Sequence, residues 1–420
     1  MKKLYVLILA FIALSFLVPE TAHAIPAFAR KYGFTCTMCH TAFPKLNDFG
    51  QRFRDNGYQI PGQEGYEKNV FEIPPPISMR TPVGLSVYNS KQGTTSGFNV
   101  YGLDLLAAGV LHKNISFLLI YTPRIDVPAA TYTGPGPNGT NPSQLGSMES
   151  ANIVFSNIVQ NALNLRIGRF EPAYQVFSSH RSFYIMEPYE VYTFTTPANS
   201  YLFSDNQMGV EATGHFKSGF KYGLGVVNGN GGNPDNSNYK DVYLNLVQII
   251  GKGDGQSAGQ RIGVFGYYGW QPTVLPGSVV APTGETNGSG NKPFYKLGGD
   301  VSLNWSTLNL EVLVMGGNDD KALNTLDPTK DYRYSGGFVE LDWAALMNNR
   351  LIASVLYNWV TPPSYDNGRS INAYSALVRY YLGDWTAFNV ALHGEYTYRE
   401  IGTTNPTKDN LFTVLVDFDF

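Results

Sequence analysis

The residues with the most evident chemistry are Cys36, Cys39 and His40, which form a Cys-x-x-Cys-His run. Two thiols at this spacing can close thioethers onto the vinyl groups of a porphyrin. The adjacent imidazole is placed to ligate the iron, so the run reads as c-type haem attachment. The chain has 2 cysteines, both here, and no other thiol competes for a partner. Two other uses stay open: a structural Cys36–Cys39 disulfide, or a redox-active dithiol. A dithiol enzyme places its motif between strand and helix of a βαβ unit, a rhythm the flanking sequence lacks.

The expectation is therefore one covalently attached haem c, anchored by Cys36 and Cys39 with His40 as proximal ligand. Met79 is a candidate sixth ligand, being the only methionine between the motif and the strands that follow. A thioether there would raise the potential; the alternative for Met79 is a plain joint residue. His180 and Met186 are second candidates, available only if their segment reaches the haem. Phe43, Leu46, Phe49 or Gly50, and Phe53 recur at helical spacing, with Pro44 suited to the first turn and Gly57 to the position past the end. Phe43 and Phe53 would pack against the haem face, although a plain core contact gives the same stripe.

Other segments must position this one. Lys2 and Lys3 precede an apolar run from Leu4 to Val18, and Ala22-His23-Ala24 is a small-x-small processing site. Residues 1–24 read as a secretory signal peptide cut before Ile25. Residues 25–78 form the cytochrome-like segment, which is too small to bury a large cofactor alone. Its end is a proline-rich joint from Ile73 to Met79.

Beyond the joint, 79–420 reads as a transmembrane β-barrel. Charged residues make up 15% and aromatics 14%, with 44 Gly and 28 Tyr. A net charge of -3 gives no basis for a nucleic-acid partner. No later stretch has the continuous apolar length of a membrane helix, whereas alternating Tyr- and Gly-rich segments are what barrel strands need. In the last ten residues Phe412, Val414, Val416, Phe418 and Phe420 share one face, with Thr413, Asp417 and Asp419 on the other. Strands are expected near 82–89, 98–110, 114–124, 149–159, 162–170, 207–217, 219–228, 238–249, 259–270, 294–305, 307–316, 331–343, 349–360, 370–382, 386–399 and 409–420. That makes about sixteen, an even number as such barrels require. Trp270, Trp305, Trp343, Trp359 and Trp385 fall near strand ends, where an aromatic girdle sits. The connection 171–206 is too polar and irregular for a strand pair and is a candidate loop folded inward. Arg166, Arg169, Arg181 and Arg379 could give the lumen a basic lining. Asp319, Asp320, Asp327 and Asp331 read as a solvated loop, with attraction of a cation as the alternative.

The stretches 25–33 (Ile-Pro-Ala-Phe-Ala-Arg-Lys-Tyr-Gly), 42–50 (Ala-Phe-Pro-Lys-Leu-Asn-x-Phe-Gly) and 53–58 (Phe-Arg-x-Asn-Gly-Tyr), around the Cys-x-x-Cys-His, resemble the fused monohaem cytochrome–porins of bacterial outer membranes. The motif resemblance covers about 25–60; beyond it only the architecture is similar. It implies an outer-membrane protein, in contact with outer-membrane lipid, that passes electrons through its haem. The implied partners are an extracellular donor such as Fe(II) and a periplasmic c-type cytochrome, which would make it an Fe(II):cytochrome c oxidoreductase. The rival reading is a porin-type solute channel in which the haem-bearing segment is a periplasmic gate or docking arm.

Overall fold

The computed structural model describes residues 27–419 apart from 35, 43, 73–76, 124–146, 161, 187, 234, 236, 252–259, 274–289, 347–349 and 383–388. The expected signal peptide, Phe43, Trp385 and the side chain of Cys36 lie outside the described residues.

Among the described residues, successive strands pair antiparallel from Ile77–Ser90 to Thr407–Asp419. The last strand returns to the first, with Phe412 opposite Val87 and Val416 opposite Val83, so the sheet closes. The second course is in two pieces: Gly93–Val100 pairs with 83–90, and Asp104–His112 pairs with 77–80. Pro82 sits opposite the break; it accepts from the Tyr101 N–H at 2.9 Å but has no N–H to return. Counting the two pieces as one course gives sixteen, and each overlaps one of the expected strands. The largest displacements are in the first two courses, which begin about five residues earlier than expected, at Ile77, directly after the prolines, and at Gly93.

Alternation sorts the side chains. On the last strand Phe412 and Val414 are each 47% exposed, while Thr413 and Asp417 are at 0% and 1%. Val264, Leu297, Val355 and Val378 continue the outward apolar band around the sheet. Trp305 and Trp343 face outward at the end of the short turns, and Trp270 and Trp359 at the opposite end. Two aromatic girdles around an apolar band is the outer surface a bilayer-spanning barrel requires. No helix among the described residues is long and apolar enough to cross a membrane.

The connections differ at the two ends. One end carries short turns such as 216–219 and 306–307, together with both ends of the strand run; the other carries the long connections. Two inserts occupy the interior. The first, from the short-turn end, contains helices α1 (Ala27–Tyr32), α2 (Cys36–Cys39) and α3 (Asp48–Asp55). Between α2 and α3, His40–Ala42 pairs with Lys45–Leu46, and Pro44 lies in that turn rather than in the first helical turn. The reason is Asn47: its side chain accepts the Gly50 N–H at 2.9 Å and starts the helix there. After the C-cap Asn56, Gly57 has φ +67°, and a Cβ there would collide with Ser116 Oγ at 2.0 Å. Only glycine ends this helix and lets it lie against the barrel wall. Phe53, 3% exposed, is ringed edge-on by Phe28, Tyr32 and Tyr58 at 5.3–5.7 Å. This is an aromatic core of the insert itself. The helices are short pieces docked in the mouth of the barrel.

The second insert is 171–206, including α4 (Glu190–Thr193), which enters from the long-loop end. Its groups bond to inward strand residues: Ile185 N–H donates to Glu395 at 2.9 Å, and Asn358 donates to the Pro188 carbonyl at 2.9 Å. Tyr174, Tyr192 and Phe203 pack with Tyr243, Tyr267 and Phe338 of the wall into one buried cluster.

The alternation makes a direct prediction. Val414→Arg, on the outward face, should lower folding stability in lipid vesicles by about 2–4 kcal/mol, read by urea titration, while Val414→Leu should be near neutral. An unaffected Arg variant would mean that this face does not meet lipid.

Candidate functional site

The two inserts meet the wall through charge. Lys45 Nζ, on the short strand before α3, lies 2.9 Å from Glu311, 2.6 Å from Glu340 and 2.6 Å from Asp342. Glu311 and Glu340 face each other across adjacent strands, and Asp342 is two residues along on the same face. Burial alone would lower the Lys45 ammonium, but Asp342, Glu311 and Glu340 hold it well above its usual range. Like charges directly opposed in a sheet repel, so the lysine neutralises part of what the wall cannot neutralise itself.

A second set of pairs lies along α3. Asp48 pairs with Lys221, Asp55 with His215 at 3.0 Å, and Arg54 with Glu171 of the second insert at 3.1 Å. Arg181 pairs with the same Glu171, so the inserts grip one carboxylate from both sides. Burial opposes ionisation of Asp48 and Asp55, yet Lys221 holds the first, and Arg54 and His215 hold the second, below the usual carboxylate range. Thr41, Lys45, Asp48, Arg54 and Asp55 line a cavity of about 140 Å³ that continues to the Ser306–Thr307 turn.

Of the four arginines read as a basic lining, three are paired with carboxylates: Arg166 with Glu211, Arg181 with Glu171, and Arg379 with Asp417 at 2.6 Å, while Arg169 Nε is buried with no hydrogen-bond partner. Asp319 is not part of a solvated loop. It is fully buried in the lumen and accepts from Asn199 at 2.8 Å. Sequence reasoning missed Lys45, Glu311, Glu340 and Asp342. The only signal available was inward-phase charge on two strands joined by a chain neighbour.

The residues singled out for haem are distributed as follows. Cys39, His40, Phe53 and His180 line one cavity of about 300 Å³ between the inserts. Burial pushes the Cys39 thiol up to about 12 and the His40 imidazole down to about 4, although His40 Nδ1 lies 3.1 Å from the Pro44 carbonyl oxygen. Both are neutral at pH 7. Met79 is not in that cavity: it lies in the first strand, where Ser78 and Arg80 line the cavity and Met79 takes the opposite, outward phase with Ile77. The joint reading of the prolines hid this parity. Met186 is buried in the second insert. Among the described residues, no group of three or more His, Cys, Asp or Glu side chains is arranged to hold a metal ion.

The Lys45 cluster yields a stability prediction. Lys45→Met leaves buried carboxylates without their cation and should cost docking of the first insert about 3–5 kcal/mol. Trypsin should then cut after Arg52 or Arg54 while the barrel survives as a resistant core, and Lys45→Arg should stay protected. Equal resistance of the Met variant would show that the ion cluster does not hold the insert.

No family model matches the sequence, and no curated protein matches it. Solved structures do share the fold. An anion-selective porin from Comamonas acidovorans aligns with TM-score 0.55 and 12% identity over 82% of this chain and 100% of its own. The outer-membrane protein OmpT of Vibrio cholerae, in its trimer form, aligns with TM-score 0.53 and 9% identity over 82% of this chain and 99% of its own. The outer-membrane channel DcaP of Acinetobacter baumannii gives TM-score 0.51 and 9% identity over 82% of this chain and 97% of its own. These findings correct the reading of the chain as a monohaem cytochrome fused to a porin. The haem c expected at Cys36, Cys39 and His40, with Met79 or His180 in the sixth position, and the electron-transfer role it implied, give way to what the barrel supports. Among the described residues the fold is a sixteen-stranded, porin-type β-barrel with two inserts in its lumen.

Proposed function

We propose that the chain is a porin-type solute channel of a bacterial outer membrane, with its apolar band in lipid and residues 27–72 as a plug that sets the open state. The observation that carries the reading is the Lys45 contact with Glu311, Glu340 and Asp342, because it joins the first insert to the wall by ion pairs. A sixteen-stranded barrel encloses an aqueous channel unless something fills it. Here the filling near the short-turn end is charged and borders a cavity, whereas the 171–206 insert is sealed by aromatic packing. The short-turn end is the periplasmic one by the usual rule for these barrels. The exported character expected of residues 1–24 belongs to the same reading.

The test is conductance in planar bilayers. The full chain should show small or rare openings, and a chain lacking 27–72 should conduct several-fold more. Silence from both would sink the channel reading.

Acid should act on the plug with a definite sign. Asp48 and Asp55 have depressed folded pKa values, so their contribution is present above the unfolded value and is lost as pH falls through the depressed ones. Asp205, in the other insert, is pushed by burial up to about 6, so acid favours its packing until it is protonated. Full-chain conductance should therefore hold steady from pH 7 to about 4 and rise below that. A progressive fall over the whole range would contradict the assignment of the movable part to 27–72.

A further inference from the structure

The seat of Lys45 is more acidic than one lysine requires. Three carboxylates converge on a single ammonium, and their side chains are between 0% and 11% exposed. Tyr189 donates to the far oxygen of Glu340 at 2.9 Å, but Asp342 Oδ1 is buried with no hydrogen-bond partner. Asp342 as a whole is 4% exposed. The Phe183 ring lies 5.1 Å from Lys45 Nζ. Three acceptors around three N–H donors, closed by an aromatic face, is the chemistry that recognises an organic ammonium. It is not the arrangement of a metal site, and none is present among the described residues. Moreover, the ammonium now in the seat comes from another element, almost 300 residues away in the chain.

We infer that Glu311, Glu340 and Asp342, with Phe183, form a binding site for solutes carrying a primary ammonium, and that Lys45 is its tethered occupant in the plugged state. This rests on the solute-channel reading and names its substrate class. A free ammonium reaching the site from the adjoining cavity competes with Lys45, and its binding frees the plug. Displacement by mass action needs no new contact elsewhere: the solute stabilises the state in which the seat is vacant. Ligands without N–H donors, or with negative charge, have no comparable hold on three carboxylates.

The experiment uses the full chain in planar bilayers at fixed ionic strength, with putrescine, tetramethylammonium or acetate added on the plug side. Putrescine should raise the open fraction several-fold at millimolar concentration, with no response to the other two. In the full-length Lys45→Met chain, where no tethered ammonium competes, Asp342→Asn, which keeps the volume, should weaken putrescine binding about tenfold, and Lys45→Arg alone should keep the putrescine response. Equal responses to putrescine and tetramethylammonium, or none to putrescine in a channel that opens on removal of 27–72, would overturn the inference and leave the channel reading intact. No conductance with the segment present or removed would overturn both.

Discussion

A closed sheet of sixteen strands is too wide for its own side chains to fill, and the rest of this structure follows from that constraint. The hydrogen-bond ladder fixes the circumference, so the interior must hold either water or more chain. Here it holds two stretches of chain, one from each end, and they are secured by different forces. The 171–206 insert is held largely by rings, with Tyr189 stacked on Phe338 at 4.0 Å and Tyr174 edge-on to Tyr243 at 4.8 Å. The first insert is held largely by ions. Its own aromatics, around Phe53, are used to hold its helices to one another rather than to the wall.

That difference sets the order in which parts let go. Aromatic packing in a dry interior has no alternative partner of equal worth, while each ion of the first insert can exchange its partner for water or a dissolved counter-ion. Lys45, Asp48, Arg54 and Asp55 all take partners outside the insert. The first insert is therefore the low-stability element, and ligand-responsive parts of proteins are drawn from such elements. A latch built from a net-negative wall and a single lysine is also biased, since the wall gains from any cation that reaches it.

The barrel was legible because lipid on one side and a polar interior on the other impose a period of two over every strand. Leu351 to Trp359 and Asn389 to Arg399 show it without help from tertiary information. The break in the neighbouring course at 101–103 was not legible, because its position opposite Pro82 could be found only once pairing was known. Met79 was misread for a related reason. The prolines at 74–76 suggested a joint, yet Met79 already keeps phase with Val83 and Leu85 of the lipid-facing side. The Cys36–His40 run drew chemistry toward itself, because a short motif is visible in sequence while a constellation is not. Lys45 and its three carboxylates are invisible in that sense. Nothing local marks Glu311 or Asp342 as partners of a residue near the other end of the chain.

As the proposed plug, residues 27–72 must be ordered and lodged in the barrel lumen. Hydrogen exchange on the protein in lipid vesicles reads this directly, through the amides of Gln51, Asn56 and Tyr58, which donate at 3.0, 2.9 and 2.8 Å to carbonyls within the insert. Slow exchange is expected there, yet faster than in the barrel strands, as for an insert that opens without the barrel unfolding. Exchange at the rate of a free peptide beside a protected barrel would contradict it and would mean that the first insert is not seated in the lumen.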